Sequence, residues 1–112
     1  MAGKFEIYKD KAGEFRFRLK AGNGEIVLAS EGYKSKSSAK NGIASVQKNC
    51  GDAACFDKKK TPSGKFRFNL KARNHQVIGT SQSYDNEASC NNGIKAIARA
   101  ATGAKLDDKT KQ

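Results

Sequence analysis

Apolar and polar residues alternate strictly along Phe15-Arg16-Phe17-Arg18-Leu19-Lys20, and again along Phe66-Arg67-Phe68-Asn69-Leu70-Lys71. A period of two sends successive side chains to opposite faces of a sheet. Both stretches therefore predict half-buried strands, with Phe15, Phe17, Phe66, Phe68 and the leucines inward and the cations outward. Each is preceded by a shorter strand candidate, KFEIYK (Lys4–Lys9) or CFDKKK (Cys55–Lys60), and followed by a third, EIVLAS or QVIGTS. The turn Asp10-Lys11-Ala12-Gly13 has its counterpart in Thr61-Pro62-Ser63-Gly64, where proline pre-sets φ and glycine takes the left-handed position. Asn23-Gly24 and Asn74-His75 supply the second turns. Beyond them the period lengthens. Ala39, Ile43 and Val46 recur at helical spacing behind Ser35, as do Cys90, Ile94, Ile97 and Ala101 behind Asn86, and both leading residues are good N-caps.

The two halves are copies. A shift of 51 positions aligns residues 13–49 with 64–100 without a gap, and 14 of those 37 positions are identical. A repeat of that length sets the architecture. Each copy reads β-β-β-α, with one apolar sheet face and one apolar helix stripe, and neither copy alone buries much. The expected fold is thus α+β: tandem β3-α(-β) repeats forming one antiparallel sheet packed by two helices, pseudo-twofold symmetric, like a covalently joined homodimer. The repeats fall at about residues 3–53 and 54–110 of a single domain spanning 1–112. ACFDKKKT (Ala54–Thr61) is echoed by AKLDDKT (Ala104–Thr110), so a strand is expected after each helix. Gly42 and Gly93 sit inside the helices, each costing about 1 kcal/mol against alanine. Their matched placement predicts close packing there, not catalysis.

The twice-written FRFxLKAxN, followed by tyrosine and a helix containing NGI, resembles the YegP-like family of small bacterial tandem-repeat proteins of unknown function. That resemblance implies β3-α-β units in one sheet with terminal strands exchanged between halves. It brings no activity, substrate or cofactor.

Charge changes the picture more than chemistry does. Twenty-two Lys and Arg against eleven Asp and Glu leave a net charge of +11, which favours polyanionic partners. If the two FRF strands lie in one sheet, Arg16, Arg18, Lys20, Arg67 and Lys71 form a cationic stripe, the candidate polyanion-binding face. Phosphate binding there would be sequence-independent and salt-sensitive. Single-strand binders stack bases on exposed aromatics, however, and strand parity leaves only Tyr8 facing outward. Cross-strand pairing of the stripe with Glu6 and Glu25 is the favoured reading.

No catalytic constellation emerges. His75, the single histidine, falls in a turn, away from any serine or cysteine that needs a base. Cys50 and Cys55 lack the partners that would complete a metal site, leaving a strained or regulatory disulfide as their alternative, and Cys90 reads as a small hydrophobe on its helix. The carboxylates are scattered, and no phosphate-cradling glycine loop is present. The sequence predicts a non-enzymatic protein without cofactor or metal, cytoplasmic, with no membrane-spanning run and no signal-peptide core. It is expected to be a monomer with an internal pseudo-dimer. Two functional classes remain: an interaction or accessory domain with an unknown protein partner, and non-specific nucleic-acid binding through the basic sheet face.

Overall fold

A computed structural model describes residues 3–72 and 76–110; the Asn74-His75 turn lies outside them. The first copy folds as β1 (Lys4–Lys9), β2 (Phe15–Lys20), β3 (Ile26–Ser30) and α1 (Lys36–Asn49). A short 3-10 turn at Ala53–Cys55 leads into β4 (Phe56–Lys60), β5 (Phe66–Lys71), β6 (Val77–Thr80), α2 (Glu87–Ala101) and β7 (Lys105–Asp108). All seven strands join one sheet in the order β4-β5-β6-β3-β2-β1-β7. The α+β architecture and the strand after each helix match the expectation from the sequence.

One detail differs. Strands β1 to β6 pair antiparallel, but β7 lies parallel to β1, so the sheet is mixed. The cause is where β1 and β7 begin. The Gly3 amide donates to the Ala100 carbonyl at 3.1 Å, so β1 starts against the C-terminal end of α2. Strand β7 leaves that same helix end. Both therefore run in the same direction.

The alternation fixes the core. Phe17, Leu19, Phe68 and Leu70 are completely buried, and each such side chain contributes roughly 1.5–3 kcal/mol by leaving water. Phe15 and Phe66 share their parity but are only half-buried, a correction to the expected core. They sit at the strand ends, where the Lys9 and Lys60 ammonium groups lie over their rings. A register shift opposite Leu19 and another opposite Leu70 mark matched bulges. A bulge lets two neighbours face the same side, which explains why Val27 and Leu28 are both buried, and Ile78 and Gly79 likewise. The two conserved-by-repeat serines tie this corner down: Ser30 Oγ accepts from the Phe17 amide at 2.9 Å, and Ser81 Oγ from the Phe68 amide at 3.0 Å.

Both helices cover the apolar face, each reaching strands of both halves. Their N-caps are those expected: Ser35 Oγ accepts from the Ser38 amide at 3.1 Å and Asn86 Oδ1 from the Ser89 amide at 2.8 Å. The helix glycines meet the repeated tyrosines. Tyr33 stacks on Phe17 and Tyr84 on Phe68, with ring centroids 6.1 and 6.3 Å apart. A Cβ on Gly42 would lie 2.5 Å from the Tyr33 hydroxyl, and one on Gly93 would overlap Tyr84 just as severely. Gly93→Ala is accordingly expected to destabilise by about 1–2 kcal/mol in urea unfolding, although propensity alone predicts a gain of about 1 kcal/mol. Tyr84→Phe in the same chain should recover part of the loss. A stabilised single variant would rule out the close contact.

Candidate binding surface

The outer face of the sheet carries the cations predicted from the sequence, and the strand register shows what each one meets. In the first half β2 lies beside β1, with Arg18 opposite Glu6, Arg16 opposite Tyr8 and Lys20 opposite Lys4. Glu6 points outward by parity yet is only 2% exposed. Four cations close over it: Arg18 Nε at 2.7 Å, Lys20 Nζ at 3.3 Å, Lys4 Nζ at 3.5 Å and Lys109 Nζ at 3.9 Å. Burial pushes its carboxyl pKa upward, but hydrogen bonds from Arg18 and Lys20 with their charges outweigh that and hold it at about 2. Arg18 also lies 4.7 Å from the centre of the Tyr8 ring, so the one outward aromatic is already occupied. Arg16 donates from Nε to Asp10 Oδ2 at 2.6 Å, which lowers the Asp10 pKa.

The second half is built on the same positions with different residues. Glu6 becomes Asp57, Arg18 becomes Asn69, and Asp10 becomes Thr61. Lys71 pairs with Asp57 at 3.2 Å, both partly exposed. Arg67, the counterpart of Arg16, has lost its carboxylate and makes no ion pair with any described residue. Of the five candidate cations, Arg16, Arg18, Lys20 and Lys71 thus hold acidic partners within the protein and Arg67 stands free. Glu25, expected to share in the pairing, makes no ion pair with a described residue; its amide is held by Asn23 Oδ1 in the turn.

The two ends of the sheet also differ. At one end β7 covers β1, with Leu106 beside Phe5 and Asp107 beside Glu6. Asp107 is drawn to Lys4 and Lys109. Lys36 on α1 reaches Asp108 at 2.8 Å, which lowers the Asp108 pKa. At the other end β4 pairs with β5 alone among the described residues. It displays Lys58, Lys59 and Lys60, all exposed. Lys58 reaches back to Glu87 at 3.2 Å and Asn91 at 2.9 Å on α2. The basic edge was present in the FDKKK string; that it is an edge depends on β7 having no counterpart beside β4.

Other chemistry-bearing residues are placed as packing groups. Cys50, Cys55 and Cys90 are buried thiols, and burial raises the Cys50 and Cys90 pKa values away from the reactive thiolate. His75 lies outside the described residues. An open cleft of about 970 Å³ separates the Ala21-Gly22-Asn23 turn from the last turns of α2; among its lining residues only Arg99 ionises. No helix among the described residues is long and apolar enough to cross a membrane.

Fold and surface together define a class: a small α+β protein made of two fused β-β-β-α repeats that share one sheet and one core. The chain belongs to the family described as a domain of unknown function, DUF1508, whose sequence profile matches residues 10–57 and 62–108 as two repeats. It is 59% identical over 106 residues to a UPF0339 protein in the ptx operon 5′ region of Stutzerimonas stutzeri, covering 95% of this chain and 96% of that one. It is 49% identical over 110 residues to the UPF0339 protein YegP of Escherichia coli K12, covering 98% and 100%. The solution NMR structure of the protein of unknown function yegP from E. coli superposes with a TM-score of 0.94 at 48% identity, covering all of this chain and 97% of that one. A UPF0339 protein of Shewanella oneidensis, also solved by NMR, gives 0.92 at 46% identity, covering 98% and 93%. The family resemblance read from FRFxLKAxN is thereby established.

Proposed function

We propose that the protein is a non-enzymatic interaction module that engages another protein through the open edge of its sheet. One observation carries this reading: among the described residues, the sheet is capped by β7 at one end and left unpaired and basic at β4 on the other. Edge strands offer rows of main-chain donors and acceptors to an incoming chain. Nucleic-acid binding through the sheet face has less support, because four of its five cations already neutralise carboxylates of the same molecule.

A photo-crosslinking amino acid placed at Lys59, with a second placed at Lys40 on the exposed side of α1 as control, separates the two readings. The expected result is a discrete crosslinked protein from the edge position and none from the helix. Binding to random duplex or single-stranded DNA should be negligible at about 50 mM salt, where backbone-driven binding is strong. Silence at the edge together with salt-sensitive micromolar DNA binding would replace the interaction reading with the nucleic-acid one.

A further inference from the structure

The protein holds a template for what its open edge would accept, because the pseudo-equivalent edge at β1 is already filled. Strand β1 and strand β4 occupy matched positions, residue for residue at a spacing of 51. On β1, the Ile7 carbonyl accepts from the Lys109 amide at 2.8 Å, so Ile7 and the residues two away turn their main-chain groups toward β7. The matched groups on β4 follow from its own ladder. The Thr61 amide donates to the Lys65 carbonyl at 2.7 Å, so Asp57 and Lys59, which share the parity of Thr61, bond inward to β5. Phe56, Lys58 and Lys60 then turn theirs outward.

Side chains set what would fit. Where β1 presents Phe5, β4 presents Phe56; where β7 lays Leu106 beside Phe5, an apolar residue belongs beside Phe56. The next position faces Asp57 and suits an uncharged residue. The three after that face Lys58, Lys59 and Lys60, in place of Ile7, Tyr8 and Lys9. Opposite charges placed directly across a strand pair stabilise it. Lys58 now leans on Glu87, which is 61% exposed, and exchanging that partner for an incoming carboxylate costs little in water. Lysines on an edge also repel strands that cannot neutralise them, so the same residues select against other chains.

We propose that the free edge of β4 takes an acidic extended segment of another protein as a parallel eighth strand, with an apolar residue beside Phe56 and carboxylates beside Lys58, Lys59 and Lys60. This rests on the reading of the edge as the docking surface.

The test uses the full chain, labelled with ¹⁵N and titrated with a synthetic heptapeptide: alanine, threonine, leucine, threonine, then three glutamates. Amide shifts should concentrate on residues 56–60, with slowed hydrogen exchange at Phe56, Lys58 and Lys60. The variant Lys58→Glu/Lys60→Glu should lose at least about tenfold in affinity, or about 1.4 kcal/mol. A peptide with three lysines in place of the glutamates should restore binding to that variant, which also shows the variant is folded. Absence of binding to the wild type at millimolar peptide overturns the proposal, as do shifts mapping elsewhere or equal binding of a scrambled peptide. A dimer formed by β7 of a second copy in sedimentation would overturn it too, by naming a different occupant. If crosslinks from Lys59 appear while the peptide fails, the edge remains a docking surface and only its acidic parallel occupant is lost.

Discussion

Gly79→Leu is expected to destabilise the protein by about 3 kcal/mol, and Leu28→Ala in the same chain should make that loss smaller, not larger. The reason is the internal symmetry. A spacing of 51 maps Ala29 onto Thr80, and these two residues face each other where β3 meets β6, so the pseudo-twofold axis passes through that pair. The same spacing maps Leu28 onto Gly79. A Cβ on Gly79 would lie 2.8 Å from Leu28 Cγ, so the space beside the axis holds one leucine and not two. Leucine at both positions overpacks the centre of the sheet, at the upper end of the about 1–3 kcal/mol that overpacking costs. Leu28→Ala alone should cost about 2–4 kcal/mol as a cavity mutation. Combined, the two should fall short of their sum by more than the about 2–4 kcal/mol that Leu28→Ala costs alone, the signature of residues competing for one volume. Urea unfolding of the two single variants and the double variant checks this; strict additivity would mean that the two positions do not share a space. The asymmetry also bears on the origin of the fused chain: a homodimer of the first repeat alone would bring two copies of Leu28 to this spot.

That competition illustrates where the sequence was readable and where it was not. Alternation in the FRF strands, the helical stripe behind Ser35 and Asn86, and the glycines at Gly13 and Gly64, both with φ near +84°, are local signals and each led to the right element. The doubled motif then required one shared sheet. Relations across strands were harder. Glu6 has the parity of an exposed residue, and nothing in KFEIYK says that four cations, one of them Lys109 at 103 positions further along the chain, will bury it. The direction of β7 depends on the end of α2 lying against Gly3, a contact between residues nearly a hundred positions apart. Arg16 and Arg67 look identical in sequence. Their difference lies in Asp10 and Thr61, six residues earlier, which become neighbours only once the hairpin closes. The state of neutralisation of the candidate stripe is therefore set by partners that only the register reveals.

Glu6 gives the second large effect, and it is one that pH can titrate. Glu6→Gln keeps the volume and removes the charge on which Arg18, Lys20, Lys4 and Lys109 converge. The folded carboxyl titrates at about 2, against an ordinary value of 4.5. A depressed carboxylate pKa means that the unfolded chain takes up the proton first as pH falls. The contribution of Glu6 is therefore complete above about pH 4.5, shrinks between 4.5 and 2, and is gone below. At about 1.4 kcal/mol per pKa unit the difference corresponds to roughly 3 kcal/mol, and solvent reaching the half-exposed cations lowers this to about 2–3 kcal/mol. Glu6→Gln should lose that much stability in urea unfolding at pH 7, and the two proteins should converge as the pH approaches 2. Asp57→Asn, at the matched position of the second half, should cost less than about 1 kcal/mol, because Asp57 and its lysines are open to water. A loss at Glu6 that stayed constant from pH 7 to pH 2 would trace the effect to packing and remove the ion cluster as its cause. A loss at Asp57 equal to that at Glu6 would show that burial of Glu6 under its four cations contributes nothing.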